Sequence, residues 1–363
     1  MNKKNYNSGE FHVGKESGNR FVSSSFINDT TKSSVAIIIS IVALIIIACT
    51  FFAVCGDFTL PAWNPLKTTE KNPDDDTPSK PVYLAAEGGK GMYQLDLSSD
   101  YAILVRLSDM STVAHKYADE LIYPASMTKV MTVIVALDLI ENLDDIYTFH
   151  PDVLSSLGGD ESTADMKYLY VEYGSVKYTV RDLLYGISYR SGADSVVCLL
   201  DYLGLDMTQF AALMNKKAEE IGLQNTNFGG AIGMDSENNT TTCRDIAAIM
   251  AYAMGNPLCV ELFGGRAYRL DHIEMTYYNS TLSKTLTNMG TTPEKVLGLD
   301  YTLLAVKSGL EDKAGYCLVS YIRNDVTNEY FILVTAGADR AEDYPFNKAP
   351  ILDMELIFDA FEP

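Results

Sequence analysis

Apolar residues fall along this chain in three regimes. The first is one unbroken stretch, residues 35–55, with no charged side chain. It is long enough to cross a bilayer as a helix. The second is a central region in which apolar residues recur at helical spacing. The third consists of short runs rich in Val, Ile, Leu and Tyr at both ends of the part after the stretch, and these read as strands.

Residues 101–107 predict a strand, Ser108-Asp109-Met110 a turn and residues 111–117 a returning strand. Residues 124–141 predict a helix, with Pro124 suited to its first turn. Residues 142–178 read as long surface loops. A helix is predicted over 179–187 with Thr179 as N-cap, then a break at 191–194 and a helix over 195–203. Further helices are predicted over 208–221, closed by Gly222, and over 242–254. The period then changes. Residues 303–306 read as a short strand, 316–322 and 330–334 as a hairpin through 324–328, and 350–361 as a closing helix. Strands at both ends with helices between them predict an α+β fold, in which one antiparallel sheet is built from both ends and helices pack on its faces. Gly88-Gly89-Lys90-Gly91 lacks the Lys-Ser/Thr pair of a phosphate loop and reads as an ordinary loop.

The segments before this domain have separate characters. Residues 1–34 are polar and rich in Asn and Ser, and carry five basic residues. Residues 56–82 hold five prolines and the run Asp74-Asp75-Asp76, an extended linker. The expected order is a cytoplasmic tail (1–34), a transmembrane signal anchor (35–55), the linker (56–82) and a folded domain (83–363). After the span no basic residue occurs before Lys67, so the positive-inside rule puts the N-terminus in the cytoplasm and the domain outside the cell membrane. Ile46-Ile47-Ala48-Cys49 resembles a lipoprotein cleavage box that would lipidate Cys49. The apolar residues 51–54 after it and the long tail before it favour an uncleaved span.

Composition narrows the chemistry. The chain has 363 residues and net charge −20. Setting aside five basic and three acidic residues in the tail leaves 23 basic and 45 acidic ones, net −22, for the remainder. That balance argues against nucleic-acid binding. After the span come only His115, His150 and His272, with no His-x-x-x-His, and no Gly-x-Ser-x-Gly elbow is present. Neither a zinc site nor that hydrolase elbow is expected, and no metal or other cofactor is implied. Cys198, Cys243, Cys259 and Cys317 allow three disulfide pairings. Cys198 and Cys317 lie in apolar runs, so buried free thiols are expected.

Three short motifs carry the candidate chemistry. Ser126-Met127-Thr128-Lys129 places a hydroxyl and an amine on one helix face, and a serine needs such a base to act as a nucleophile. Ser191-Gly192-Ala193 lies in the break between two helices. Lys307-Ser308-Gly309 follows the predicted strand at 303–306, read as its end. It offers a cation, a hydroxyl donor and close backbone approach, which suit a substrate carboxylate. Each motif alone is commonplace. In this order they resemble the signature shared by penicillin-binding proteins and class A β-lactamases.

The likeness extends beyond the triplets. Residues 101–129, 178–200, 214–228 and 306–319 resemble successive segments of the low-molecular-mass penicillin-binding proteins that act as serine D-Ala-D-Ala carboxypeptidases, the S11 peptidases. The resemblance implies a β-lactamase/transpeptidase-like fold and removal of the terminal D-alanine from peptidoglycan stem peptides, with β-lactams as inhibitors. It makes Ser126 the acylated nucleophile and Lys129 its base. Lys307 would lower the Lys129 pKa and, with Ser308, hold the substrate carboxylate. Ser191 would relay a proton to the leaving amine, and the N–H groups of Ser126 and Leu310 would form the oxyanion hole. The chain departs from the family pattern at Ala193, where Asn is usual, at Ser308, where Thr is common, and at Leu310 and Glu311. The alternatives of a β-lactamase and of a non-hydrolytic peptidoglycan-binding or β-lactam-sensing module share the same site.

Overall fold

The computed structural model describes residues 83–157, 176–271, 273–282, 300–339 and 349–361. The expected tail, membrane span and linker lie outside these residues. Among the described residues no single helix is long and apolar enough to cross a membrane.

In chain order, strands β1 (Lys90–Gly91), β2 (Tyr101–Arg106) and β3 (Ser111–Lys116) come first. A 3-10 turn, Ala125–Thr128, leads into helix α1 (Lys129–Leu139). A small ribbon, β4 (Ile146–Thr148) with β5 (Lys177–Thr179), precedes helices α2 (Val180–Arg190), α3 (Ala193–Leu203), α4 (Met207–Ile221), α5 (Cys243–Met254) and α6 (Pro257–Gly264). Then follow a hairpin of β6 (Ala267–Leu270) and β7 (Met275–Tyr278), strands β8 (Tyr301–Glu311), β9 (Gly315–Asn324) and β10 (Tyr330–Ala338), and helix α7 (Ala349–Ala360).

The main sheet has the order β1-β3-β2-β10-β9-β8. The first and last thirds of the domain meet in its centre, where β2 pairs antiparallel with β10 from Arg106↔Phe331 to Tyr101↔Ala336. The expected sheet assembled from both ends is therefore present. It departs from a purely antiparallel one only at its rim, where the two-residue β1 pairs parallel with β3.

Side chains alternate across the sheet. Ala102, Leu104, Phe331 and Leu333 share a core with Ile351, Met354, Ile357 and Phe358 of α7. The intervening Ile103, Val105, Ile332 and Val334 are equally buried, on the side where α5 packs against β2, β9 and β10. Helices thus cover both faces. This explains why the central strands are apolar at almost every position and not at alternate ones.

Local signals fix the helix ends. Thr179 and Asp182 form a capping box at α2, as do Asp206 and Gln209 at α4. Gly204 and Gly222 adopt left-handed conformations that close α3 and α4.

Three expectations are corrected. The helix predicted from Pro124 becomes a 3-10 turn, with regular α-helix only from Lys129, because Ala125 has φ +45°. The strand predicted over 303–306 extends to Glu311, so Lys307-Ser308-Gly309 lies inside β8 and not at its end. The charge of Lys307 resembles a strand stop, yet the side chain points into the interior and the pairing with β9 continues to Glu311↔Gly315. The 142–178 region, read as loops, carries the β4–β5 ribbon and a 3-10 turn at Pro151–Leu157. In addition α6, begun by Asn256 as N-cap and Pro257 in its first turn, went unread in the sequence.

Candidate functional site

Ser126 sits on the 3-10 turn that feeds α1, and Lys129 is the first residue of that helix. The Lys129 side chain is 1% exposed, and its Nζ lies 2.9 Å from Ser126 Oγ. A second bond, 2.7 Å to the carbonyl of Ile232, anchors the amine from the opposite side. One turn along α1, Thr132 donates to the carbonyl of Ala231. The 231–233 loop is therefore fastened to the same helix as the amine.

The turn itself is clamped between two glycines. A Cβ on Gly309 of β8 would come within 2.8 Å of Ala125 Cβ and 3.1 Å of Ser126 N. A Cβ on Gly233 would collide with the carbonyl oxygen of Ala125. Only residues without side chains let a strand and a loop approach this closely, and their pressure holds Ala125 in a conformation that alanine ordinarily avoids.

Lys307 reaches into the same region from β8 and is 0% exposed. Its Nζ lies 3.0 Å from Ser191 Oγ and 2.7 Å from the carbonyl of Ser308. Ser191 caps α2 in a left-handed conformation, φ +58°, at the break foreseen between two helices. Burial holds the Lys307 pKa well below that of an ordinary lysine, and the Lys129 charge adds to the effect. That repulsion is mutual, so the buried pair is disfavoured with both amines charged. One neutral amine beside a serine hydroxyl is the state a general base requires.

Ser308 is half-buried, and its hydroxyl lies 2.9 Å from that of Thr281. Leu310 and Glu311, at the end of β8, are partly exposed. Ala193 is buried in the first turn of α3 and offers no amide. Its neighbour Asp194 accepts from the N–H of Ser195, within its own helix. Beside the β8–β9 turn a cleft of about 380 Å³ opens between Tyr123, three residues before Ser126, and the segment 312–315.

The structure thus gathers Ser126, Lys129, Ser191, Lys307, Ser308 and Gly309 around one site, with Leu310 next to Gly309 on the same strand. Three contributors went unread in the sequence. Ile232 acts through its backbone carbonyl, which no residue type announces. Gly233 lies in a glycine-containing loop with nothing to single it out. Thr281 carries no local motif. The four cysteines are buried and free, as expected. Among the described residues no His/Cys/Asp/Glu group is arranged to hold a metal ion.

Solved structures share this architecture. A D-alanyl-D-alanine carboxypeptidase from Mycobacterium tuberculosis superposes with TM-score 0.59 at 20% identity, covering 76% of this chain and 94% of that one. Penicillin binding protein 5 from Haemophilus influenzae gives 0.58 at 22% identity, covering 75% and 73%. The fold is therefore the mixed α+β, transpeptidase-like one, with a serine and two buried lysines at the inner face of an edge strand. The chain belongs to the D-alanyl-D-alanine carboxypeptidase family, peptidase S11, which it matches over residues 89–340. It is 26% identical over 280 residues to the D-alanyl-D-alanine carboxypeptidase DacF of Bacillus subtilis, covering 75% of this chain and 66% of that protein. To DacD of Escherichia coli it is 28% identical over 229 residues, covering 60% and 53%. The chain spans two thirds or less of the length of these two relatives.

Proposed function

We propose that this protein is a serine D-Ala-D-Ala carboxypeptidase that trims the terminal D-alanine from peptidoglycan stem peptides and is acylated by β-lactams. One observation carries the reading: a serine hydroxyl 2.9 Å from a buried lysine amine, with a second buried lysine bonded to Ser191 beside it.

The chemistry follows from that arrangement. Neutral Lys129 takes the proton of Ser126 as Oγ attacks the carbonyl carbon of the penultimate D-alanine. The N–H groups of Ser126 and Leu310 face the oxyanion that develops. The C–N bond then breaks as the proton held by Lys129 passes through the Ser191 hydroxyl to the departing amine, so D-alanine leaves and Lys129 is neutral again. Lys129 then takes a proton from water as its oxygen attacks the ester carbonyl, and returns that proton to Ser126 Oγ as the acyl group leaves as the carboxylate. Ser308 and the Lys307 amine, a hydrogen-bond donor in either protonation state, hold the terminal carboxylate of the substrate throughout. A β-lactam enters by the same attack, but its amine stays tethered and the ester persists.

We further infer that residues 35–55 anchor the protein in the cell membrane, with residues 1–34 in the cytoplasm and the domain on the outer, cell-wall side. The uncharged stretch and the basic flank before it support this topology. Protease added to intact spheroplasts is expected to remove the domain and leave the tail; an uncut domain refutes the orientation.

Incubation of the full chain with benzylpenicillin, followed by intact mass and peptide mapping, tests the acylation. An adduct on Ser126, absent from Ser126→Ala, is expected, and no adduct defeats the reading. A peptide ending in D-Ala-D-Ala should then release D-alanine. Ala193, in place of the amide usual in the family, favours one second reading, a module that is acylated but turns over poorly. An adduct without D-alanine release decides for it, and rapid penicillin hydrolysis decides for a β-lactamase.

A further inference from the structure

Three consecutive residues after β7 each fasten their segment to a different part of the fold. Asn279 is fully buried; its side-chain amide donates to the carbonyls of Phe263 and Gly265 and accepts from the N–H of Leu282. Ser280 Oγ donates to the carbonyl of Tyr189, two residues before Ser191. Thr281 is 4% exposed, and its Oγ1 lies 2.9 Å from Ser308 Oγ. The segment is thus pinned to the end of α6 and bridges the Ser191 corner to strand β8.

We propose that Thr281 is a positioning residue that sets the direction of the Ser308 hydroxyl, an assignment that rests on the carboxylate-binding role given above to Ser308. A hydroxyl has one proton to give and two lone pairs to receive with. If Ser308 spends its proton on Thr281, it meets a carboxylate with lone pairs only, which is repulsive. If Thr281 donates to Ser308, the Ser308 proton is free for the carboxylate and is polarised by the bond it receives. An arriving anion selects the second arrangement. Thr281 therefore makes Ser308 a donor at a defined angle, without touching substrate. Asn279 and Ser280 hold the segment so that this angle is kept in register with Ser191.

The test is a double-mutant cycle on the full chain, read as benzylpenicillin acylation of Ser126 against drug concentration. Thr281→Val is expected to weaken acylation efficiency about fivefold, the worth of one oriented hydrogen bond. The change should lie in the concentration giving half the maximal rate and not in the maximal rate. Thr281→Ser should restore wild-type behaviour. In a Ser308→Ala background, Thr281→Val should have a clearly smaller effect on that concentration, since the hydroxyl it orients is gone. If valine prevents folding, judged by loss of a cooperative melt, Thr281→Ala takes its place in the cycle. Equal losses in both backgrounds, or a loss confined to the maximal rate, overturn the positioning role while leaving the acyl-transfer reading intact. A wild-type chain that forms no adduct overturns the acyl-transfer reading itself.

Discussion

Replacing Gly309 by alanine adds one methyl group where strand β8 presses on the turn carrying Ser126. That methyl would lie 2.8 Å from Ala125 Cβ, 3.0 Å from the carbonyl of Pro124 and 3.1 Å from Ser126 N. Carbon atoms in ordinary contact sit about 3.5–4.0 Å apart, so the strand and the turn must separate by about 1 Å at the tightest point. The turn has little room to yield, because Gly233 presses on Ala125 from another side. The predicted cost is twofold. Overpacking of this kind destabilises by about 1–3 kcal/mol, with a fall in Tm of about 2–4 °C per kcal/mol for a domain of this size. The larger effect is on chemistry, since displacing a nucleophile by about 1 Å from its base and oxyanion donors slows the reaction about 100-fold. The assay is the rate of penicillin adduct formation on Ser126, beside a thermal melt that verifies folding. A folded Gly309→Ala protein acylated at the wild-type rate refutes the claim that this contact sets the nucleophile.

Further outcomes follow from the buried charges and thiols. Lys307 has its pKa lowered in the folded state, so between that value and the unfolded value near 10.5 the unfolded chain binds more protons, and stability rises with pH in that window. Wild type should therefore gain Tm relative to Lys307→Met as pH rises toward 10.5; a pH-independent difference rejects the depressed pKa. Arg244 is 6% exposed and donates to Asp119, to the carbonyls of Ala85 and Ala86 and to Thr112, tying the start of the domain to α5. Arg244→Met takes the donor from the Ala85 carbonyl and from Asp119, while the Ala86 carbonyl keeps its bond from Thr112, and should cost about 2–3 kcal/mol in urea unfolding, a figure reduced because Asp119 is exposed; no shift in midpoint contradicts it. Burial raises the thiol pKa of Cys198, Cys243, Cys259 and Cys317, the last two to about 12. A thiol reagent at pH 8, read by peptide mapping, should label none of the four in native protein and all four after denaturation.

Much of this was legible in the sequence because its causes are local. The Thr179 cap, the Gly222 stop and the apolar runs of β2, β9 and β10 are determined by residues within a few positions of one another. The Ser126–Lys129 pairing also needs only the turn that joins them. What the sequence alone did not decide depends on contacts between distant segments. Lys307 reads locally as a strand stop, and only pairing of β8 with β9 carries the strand past it and turns the amine inward beside Lys129. Ala125 reads as ordinary helix, and only the close approach of Gly233 and Gly309 forces it into a left-handed turn. Ile232 and Thr281 reach the site through a carbonyl and a single hydroxyl brought in from far along the chain, contacts that leave no periodicity to read. Residue order supplied the Ser126–Lys129 pair and the Lys307-Ser308-Gly309 run. Packing of the sheet edge against the helices decided their burial, and burial depresses the Lys307 pKa.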